Sequence, residues 1–318
     1  ITPIWLYRSE QVQALFSPPS QGALSDNSSP PSSHGHICSE NPYRNSLLPG
    51  ESFELSEQKA QAWLTNKTAI FNDIQSRSQG RHNHIRFDTF QVMSPCKYSC
   101  TGICRDDASK IVCGVETLQP GCIVYSIGGN NNWIFEQHIY AMTPCEIHTF
   151  DCTGRADRFT PPEMIKDRHF FHHICISSEN RPAVKQPKGG GRQASDIVGE
   201  MQTLQKMQEE LNHTRLDLLK MDIEGFEWPI FNSWPELMHD ASNSSSTRVS
   251  LPMQVLVEVH YRTQMKALSE KRGVDFKTEQ DLVNLQEHLL NLGYSVAVRD
   301  DNRACPHCTE LTLLRHKC

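Results

Sequence analysis

Residues 216–228 read Leu-Asp-Leu-Leu-Lys-Met-Asp-Ile-Glu-Gly-Phe-Glu-Trp, an apolar run of strand length that ends in carboxylates and a glycine. Such a run predicts a buried parallel strand, whose charged residues collect at its carboxyl end. Open α/β sheets bind ligands at that edge. Asp222 and Glu224 are two residues apart, so they point to the same side as long as the chain stays extended. The alternative is a strand with a solvated polar end.

Two further stretches favour a ligand site over a solvated strand end. Residues 122–127 predict a second buried strand, and a Gly-Gly-Asn turn at 128–130 lets the backbone approach a ligand. Residues 146–151 predict a third strand that ends in Asp151. Nucleoside-binding α/β folds place an acid there to accept hydrogen bonds from the ribose hydroxyls. The turn lacks the three spaced glycines of a dinucleotide fingerprint, and the missing Gly-Lys-Ser/Thr excludes a P-loop.

The order of the predicted elements indicates an α/β fold, because strands and helices alternate before a final strand pair. About seven strands would form one Rossmann-like sheet with helices on both faces. We assign residues 51–318 to this domain, with residues 51–121 as a helical and cysteine-rich extension. Residues 1–50, rich in Ser, Pro and Asn, are assigned to a disordered, low-complexity stem or linker. Helices are predicted over residues 51–76 and 195–211.

Composition bounds the class of protein. The net charge is −6 over 318 residues and no basic run stands out, which argues against a nucleic-acid-binding surface. No stretch reaches the roughly 18 apolar residues of a membrane span. The chain begins with Ile1 rather than Met, so a signal peptide or membrane anchor upstream of residue 1 is compatible with the sequence. Nothing in the sequence indicates the oligomeric state.

Twelve cysteines and several N-x-S/T sequons indicate an oxidising compartment. The sequons begin at Asn27, Asn66, Asn212 and Asn243. Each sequon is a weak signal alone, but together with the cysteines they favour the lumen of the secretory pathway or secretion. The alternative is a cytoplasmic protein with many free thiols.

Two cysteine clusters raise the question of zinc. The Cys-x3-Cys-x3-Cys stretch at 96–104 fits zinc ligation poorly, since zinc sites usually use pairs two residues apart, so disulfides or buried thiols are favoured. Cys305 and Cys308 lie between two late strands. A direct bond between them closes a very small loop and gains little from chain entropy. We therefore predict that at least one of the two bonds to a cysteine elsewhere; zinc ligation and a redox pair are the alternatives.

Several of these stretches together resemble a known family. From residue 95 to the end, the chain resembles S-adenosylmethionine-dependent methyltransferases, and more narrowly the methyltransferase domain 22 family, relatives of the FkbM group. The most specific stretch is Leu219–Trp228, which matches the acidic FkbM-type signature. The chain departs from the pattern at 129–131, where a typical methyltransferase has further glycines. The other matching stretches are Lys110–Cys113, Val124–Gly128 with Phe135-Glu136, Cys145–Asp151 and Glu258–His260.

The resemblance implies a binding site for S-adenosylmethionine. Gly128 and Gly129 would lie under the methionine part of this cofactor, and Asp151 would bind the ribose hydroxyls. Asp222 would face both the cofactor and the substrate. The full implied set of cofactor-binding residues is Gly128, Gly129, Asn130, Glu136, Asp151 and Asp222.

The catalytic residues that the resemblance implies are Asp222, Glu224 and His260. Methyl transfer is an in-line displacement from a sulfonium, for which the protein positions the acceptor and can remove its proton. His260 is the natural candidate for the base, because histidine titrates near neutral pH. The alternative is a histidine that only orients Asp222 or Glu224. The acceptor would be an oxygen or nitrogen of a small molecule, a glycan or a protein.

Two other classes of function stay open. Asp222, Glu224, Glu258 and His260 follow strands that we expect to be neighbours, and their oxygen and imidazole groups suit Mg²⁺, Mn²⁺ or Ca²⁺ in a metal-dependent hydrolase. That interpretation gives no role to the glycine turn, and the methyltransferase interpretation needs no metal. The irregular glycine turn also permits a non-catalytic binding protein on the same fold.

Overall fold

The structure is a computed structural model that describes residues 35–78, 84–104, 109–183, 199–234, 250–261, 277–302 and 305–318. The α-helices in these ranges are α1 Phe53–Ser78, α2 Ile134–Met142, α3 Leu204–Leu211, α4 Glu227–Ser233 and α5 Glu279–Asn291. The strands are β1 Tyr98–Thr101, β2 Lys110–Cys113, β3 Ile123–Ile127, β4 Glu146–Phe150, β5 His169–His172, β6 Ile174–Ile176, β7 Glu200–Gln202, β8 Leu218–Met221, β9 Gln254–His260, β10 Tyr294–Asp301 and β11 Cys308–Arg315.

A seven-stranded sheet in the order β10-β11-β9-β8-β3-β4-β5 forms the centre of the fold. Neighbouring strands from β9 to β5 run parallel, whereas β11 is antiparallel to both β9 and β10. The chain moves outward from β3 to β4 and β5 and then returns to β8. The switch point of the sheet therefore lies between β3 and β8, where open α/β sheets bind ligands. The predicted Rossmann-like sheet is confirmed.

Both faces of this sheet are covered, which explains the continuous apolar runs of the strands. In β8, Leu218 belongs to a cluster that includes Phe135 of α2. Leu219 and Met221 belong to a second cluster, with residues of α3, α4 and α5 such as Leu282. Successive strand residues point to opposite faces, so alternate residues serve the two clusters. Burying one such side chain contributes on the order of 1.5–3 kcal/mol.

The predicted helix over residues 51–76 is confirmed as α1, which packs on the outer side of α5. Trp63 lies at the centre of this contact, where it is buried with Met93, Val283 and Leu290. Its indole N–H donates to the carbonyl of Thr89 at 3.1 Å. The extension therefore shares a core with the sheet domain rather than forming a separate unit.

The predicted stem boundary at residue 50 is corrected for residues 35–50. Cys38 bonds to Cys318, and Tyr43 is completely buried. Asn41 donates from its side-chain amide to the carbonyls of Met253 and Arg315 at 3.0 and 2.8 Å. These long-range contacts fix a Ser/Pro/Asn-containing segment whose composition alone indicates disorder. Residues 1–34 of the predicted stem lie outside the described residues.

The predicted helix over residues 195–211 is wrong in its described first part. Residues 200–202 form β7, in which Met201 exchanges backbone hydrogen bonds with Arg181. Thr203 then caps α3, since its side chain accepts from the N–H of Lys206. The cap residue stops the helix from extending backward. Residues 195–198 lie outside the described residues.

All twelve cysteines lie among the described residues and form disulfides. The prediction that Cys305 or Cys308 bonds to a cysteine elsewhere is wrong, because these two bond to each other. A turn at residues 305–308, in which the N–H of Cys308 donates to the carbonyl of Cys305 at 3.2 Å, brings their Cα atoms to 5.5 Å. A small entropic gain does not prevent a bond that the turn already favours. The pairs are Cys38–Cys318, Cys96–Cys113, Cys100–Cys104, Cys122–Cys145, Cys152–Cys175 and Cys305–Cys308.

Within the described part of the chain, no helix combines the length and the apolar character needed to cross a membrane.

Candidate functional site

The backbones of β3 and β8 come closest at the switch point. Gly128 follows β3 with a φ of +80°, and a Cβ placed on it would lie 2.0 Å from the carbonyl oxygen of Asp222. Only glycine fits here, because both the φ value and the backbone contact exclude a side chain. The buried ammonium of Lys220 donates to the carbonyls of Ile127 and Gly128 at 3.1 and 3.0 Å. Lys220 thus holds the end of β3 against β8.

The turn after β3 has the backbone conformation that a glycine-rich turn would adopt, although asparagines stand where further glycines are expected. Asn130 and Asn131 adopt left-handed conformations with φ of 44° and 60°. Asparagine is among the few residues other than glycine that adopt this conformation readily. The side-chain oxygen of Asn131 accepts from Trp133 Nε1 and from the backbone N–H of Thr160 at 3.0 and 2.9 Å. The asparagines therefore take the place of glycines and also fasten the turn.

Asp151 links the end of β4 to this turn. Its Oδ2 accepts from the backbone N–H of Asn130 at 2.8 Å, and its Oδ1 accepts from the backbone N–H and the hydroxyl of Thr153 at 2.8 and 2.6 Å. Each carboxylate oxygen offers two lone pairs. Among the described residues, these contacts leave one acceptor position on Oδ2. The carboxylate fits one ribose hydroxyl without rearrangement, and a second hydroxyl would have to displace Thr153.

Glu136 of α2 is buried beside the same turn. Its Oε1 accepts from the hydroxyl of Thr149 at 3.0 Å and lies 4.0 Å from the place of a Cβ on Gly129. Its Oε2 is buried and has no hydrogen-bond partner among the described residues. A buried polar atom without a partner is costly. Glu136 therefore offers this oxygen as a hydrogen-bond partner to a ligand at the turn.

A buried ion cluster occupies the other half of this edge. Asp222 follows β8, and its Oδ2 accepts from the ammonium of Lys110 at 3.2 Å. The same ammonium, whose side chain is 2% exposed, also contacts the carboxylate of Glu310 on β11. Burial would raise the pKa of Asp222, but Lys110, Lys220 and His260 hold it below its usual value. Asp222 is therefore ionised at neutral pH.

Two further carboxyl groups of this cluster titrate abnormally. Burial, together with the charges of Asp222 and Glu310, raises the pKa of Glu258 to about 8. Burial also raises the pKa of Glu310, although Lys110 opposes this shift. Like charges held together in a buried site cannot all ionise. Glu258 is thus a carboxyl group whose pKa lies close to neutrality.

His260 is held by the end of the opening motif. Glu227, which is completely buried, accepts from the backbone N–H of His260 at 2.6 Å and lies 3.3 Å from its Nδ1. The indole N–H of Trp228 donates to the His260 carbonyl at 2.8 Å. Burial would lower the pKa of His260, but Glu227, Glu258 and Asp222 raise it to about 10. These contacts favour the orienting role over that of a base, because the imidazole is already protonated at neutral pH.

Glu224 lies at the margin of the cluster. Its φ of 58° and the following glycine turn the chain sharply, so the extended geometry expected for Asp222 and Glu224 ends there. The Glu224 side chain is 64% exposed, and its Oε2 lies 3.8 Å from His260 Nε2. The contact is weak, because an exposed pair at this distance contributes little.

Four charged residues of this edge were not predicted from the sequence to belong to the site. They are Lys110, Lys220, Glu227 and Glu310. Lys220 had a usable signal, since a lone lysine inside an otherwise apolar buried strand must find partners. Lys110 had none, because it comes from the short hairpin β1–β2, which is antiparallel and outside the main sheet.

The fold and this edge together define a class of protein. The seven-stranded sheet, with an antiparallel strand inserted next to its edge and a turn-and-acid pair at the switch point, is that of a Rossmann-like methyltransferase. The chain belongs to the methyltransferase domain 22 family: the family profile, described as a methyltransferase domain, matches residues 51–312.

Two curated proteins similar to this chain have names that describe them as methyltransferase-like. The chain is 25% identical over 163 residues to "Probable methyltransferase-like protein 24" of Homo sapiens, which is 50% of this chain and 40% of that protein. It is 26% identical over 136 residues to the protein of that name from Rattus norvegicus, covering 41% and 32%. The chain thus spans less than half the length of these relatives.

Solved structures of low similarity were also found. A mutant 16S rRNA (adenine(1408)-N(1))-methyltransferase from Catenulisporales acidiphilia is 13% identical, with 62% of this chain and 86% of that chain covered and a TM-score of 0.33. A likeness of that size carries no argument about this chain.

Proposed function

We propose that the protein is an S-adenosylmethionine-dependent methyltransferase that acts on an oxygen or a nitrogen of its acceptor. The observation that carries this proposal is the turn at the switch point, where the left-handed Asn130 and Asn131 follow Gly128 and where Asp151 binds the Asn130 N–H. Backbone without bulky side chains beside an ionisable acid suits a nucleoside ligand. Membership of the family supports the same cofactor.

The residues of the turn have separate roles in this proposal. S-adenosylmethionine, when bound, would supply a sulfonium methyl group that an acceptor attacks in line, with the thioether as the leaving group. Asp151 accepts from a ribose hydroxyl through the open position on Oδ2. Gly129 leaves the space that a Cβ would fill, since that atom would lie 3.3 Å from the Thr149 methyl carbon. The orphan Oε2 of Glu136 accepts a further hydrogen bond from the cofactor.

The other half of the edge handles the acceptor. Asp222 stays ionised beside Lys110 and places a fixed negative charge at the acceptor's side of the site. We assign removal of the acceptor's proton to Glu258 rather than to His260. A general base works best when its pKa lies near the operating pH, and Glu258 with a pKa of about 8 meets this condition. His260 and Glu227 then position Glu258, whose Oε2 lies 3.5 Å from His260 Nε2.

The same geometry argues against the metal-dependent hydrolase. Asp222, Glu258 and Glu310 could hold a cation by their spacing. The ammonium of Lys110 lies against two of these carboxylates and already supplies the positive charge that buried acids need. A divalent ion there would have to displace a buried lysine.

The disulfides support an oxidising compartment, and we propose the secretory pathway or secretion. The two sequon asparagines that the structure describes, Asn66 and Asn212, are both exposed. A glycan, protein or small molecule of that compartment is then the acceptor, and nucleic acid is not.

Transfer of labelled methyl tests this proposal. Asp222→Asn keeps the shape of the side chain and removes its charge, so transfer should fall at least about a hundredfold, as for loss of other preorganised charged groups. Methyl-labelled S-adenosylmethionine is incubated with small-molecule, glycan and protein fractions of a secretory extract, and the label is counted. Asp157→Asn, an exposed acid beyond β4, is the matched control. Wild-type activity in Asp222→Asn would refute the role of Asp222.

A further inference from the structure

Two histidines and a glutamate converge at the opposite end of β4 from Asp151. Glu146 begins β4, His148 follows on the same face, and His213 comes from the turn between α3 and β8. The Glu146 Oε1 atom lies 2.7 Å from His148 Nε2 and 3.7 Å from His213 Nε2. One ligand atom from each of the three residues lies within 4.8 Å of the others. None of these residues takes part in the site at the carboxyl edge.

These distances suit a tetrahedral ion. Zinc bonds of about 2.0–2.1 Å place neighbouring ligand atoms roughly 3.4 Å apart. The two observed distances lie on either side of this value. The side chain of Glu146 is 43% exposed, so it has room to move the roughly 0.7 Å by which the shorter distance falls below that separation. His148 is buried and His213 is partly buried, so the surrounding side chains restrict the movement of both imidazoles.

The outer ring nitrogens already have partners. His148 Nδ1 lies 2.9 Å from Nε2 of His172, and His213 Nδ1 lies 2.8 Å from the hydroxyl of Tyr125. Histidines that bind metals typically donate their other N–H to such a partner, which fixes the tautomer and aims the free nitrogen. Both histidines can therefore carry their proton on Nδ1 and direct a lone pair from Nε2 toward Glu146.

The position of His213 is also fixed by the backbone. Asn212 ends α3 in a left-handed conformation with a φ of 56°, and the N–H of His213 donates to the carbonyl of Gln208 at 2.9 Å. The ring of His213 stands at 72° to that of His148, with centroids 4.8 Å apart. Two rings at this angle present separate nitrogens to one point instead of stacking. The arrangement is specific, because one backbone turn and two hydrogen bonds hold it.

We propose that Glu146, His148 and His213 bind a Zn²⁺ ion, with solvent in the fourth position. Two imidazoles and one carboxylate are a donor set that zinc accepts. The ion would fasten the amino end of β4 to the turn before β8. It stands apart from the switch point, so it adds a ligand that the methyl-transfer chemistry does not use.

Metal titration of the untagged chain, with its disulfides intact, tests this site. The protein is dialysed against a chelator, and Zn²⁺ is then titrated by calorimetry, with stoichiometry from elemental analysis. We expect one equivalent to bind and to raise the thermal midpoint. His213→Gln and Glu146→Gln should each weaken binding about a hundredfold or more, while Tyr125→Phe, which removes only the outer partner, should weaken it about tenfold to a hundredfold.

Matched controls separate this site from other histidines and acids. His138→Gln and Glu163→Gln change exposed residues elsewhere and should leave the affinity unchanged. Unfolding midpoints in chelator show whether each variant is folded. If His213→Gln does not fold, Glu146→Gln, whose side chain is 43% exposed, still tests whether the site binds zinc. Absence of zinc binding by the wild type would overturn the proposal. So would affinity that is lost in Glu224→Gln, at the other cluster, but kept in His213→Gln.

Discussion

The two halves of the carboxyl edge are built in different ways. At the ends of β3 and β4 the site consists of a backbone turn and one acid, Asp151, whose partners lie 21 and 2 residues away along the chain. At the ends of β8, β9 and β11 it consists of buried charged side chains. Lys110 meets Asp222 across 112 residues and Glu310 across 200 residues of chain. The first half is shaped by conformation and the second by electrostatics.

This difference assigns the halves to different tasks. A turn without bulky side chains accommodates a large ligand and tolerates small changes. A cluster of buried charges fixes protonation states, because each group sets the pKa of its neighbours. The pKa of Glu258, about 8, depends on Asp222 and Glu310, which come from two other strands. We therefore expect variants of the second half to alter stability and pH dependence more than variants of the first.

The largest effect should come from Lys110→Met, which keeps a long unbranched side chain and removes the charge. The acids around Lys110 would lose their buried partner, a loss that typically costs about 3–5 kcal/mol. Denaturant unfolding with disulfides intact measures it at pH 7. The loss should shrink at lower pH, because the carboxyls then take up protons. Lys59→Met, in a partly exposed pair with Glu51, is the control and should lose less than about 1 kcal/mol.

A smaller contrast lies inside the opening motif itself. Glu227→Gln removes the buried negative charge beside His260 and leaves one acceptor oxygen for the two backbone N–H groups, of Gly225 and His260, that now donate to the carboxylate. The free energy of unfolding should therefore fall by about 1.5–3 kcal/mol. The pKa of His260, about 10 in the wild type, should fall with it, and nuclear magnetic resonance of the imidazole reports this change. Glu224→Gln, at the exposed glutamate three residues earlier in the same motif, should change the free energy of unfolding by less than about 0.5 kcal/mol. Equal effects of the two variants would contradict the assignment.

Stability should also fall as the pH rises, and Glu258 should account for part of the change. Its folded pKa of about 8 lies above the ordinary value of 4.5. The stability that it contributes is therefore fully present below about pH 4.5 and is lost as the pH rises through 8. Glu258→Gln cannot ionise, so its stability relative to the wild type should improve steadily from pH 5 to pH 8.

Turnover should change in the opposite direction over the same range. Wild-type methyl transfer should rise toward pH 8 as Glu258 ionises, whereas Glu258→Gln should lose transfer at every pH. Because Glu258 is one of the charges that raise the pKa of His260, the substitution also changes the contribution of His260 above about pH 6.5, and the interval from pH 5 to pH 6.5 reports on Glu258 alone. A flat difference in stability between pH 5 and pH 8 would show that Glu258 titrates normally.

The sequence predicted the parts of this molecule that depend on local pattern. The strands of the sheet, the turn after β3 and the acid at Asp151 follow from apolar runs that end in glycine or acid. The cluster of buried charges could not be predicted from the sequence, because Lys110 reaches it from a hairpin whose position no local pattern reveals. The prediction that residues 35–50 are disordered was wrong for a similar reason. Their order depends on the disulfide between Cys38 and Cys318, which are 280 residues apart. The prediction that Cys305 or Cys308 bonds elsewhere was wrong, because the turn holds the two cysteines together although a small loop gains little entropy.

Binding of S-adenosylmethionine to wild type and Asp151→Asn tests the central claim most directly. A hydrogen bond to a charged group contributes about 1.5–3 kcal/mol, so calorimetry should show affinity at least about tenfold weaker in Asp151→Asn. Asp157→Asn is the exposed control, and unfolding midpoints verify that each variant is folded. The account predicts binding by the wild type and the control, with weakened binding by Asp151→Asn. A wild type that does not bind the cofactor, or a folded Asp151→Asn that binds it equally well, would contradict the account.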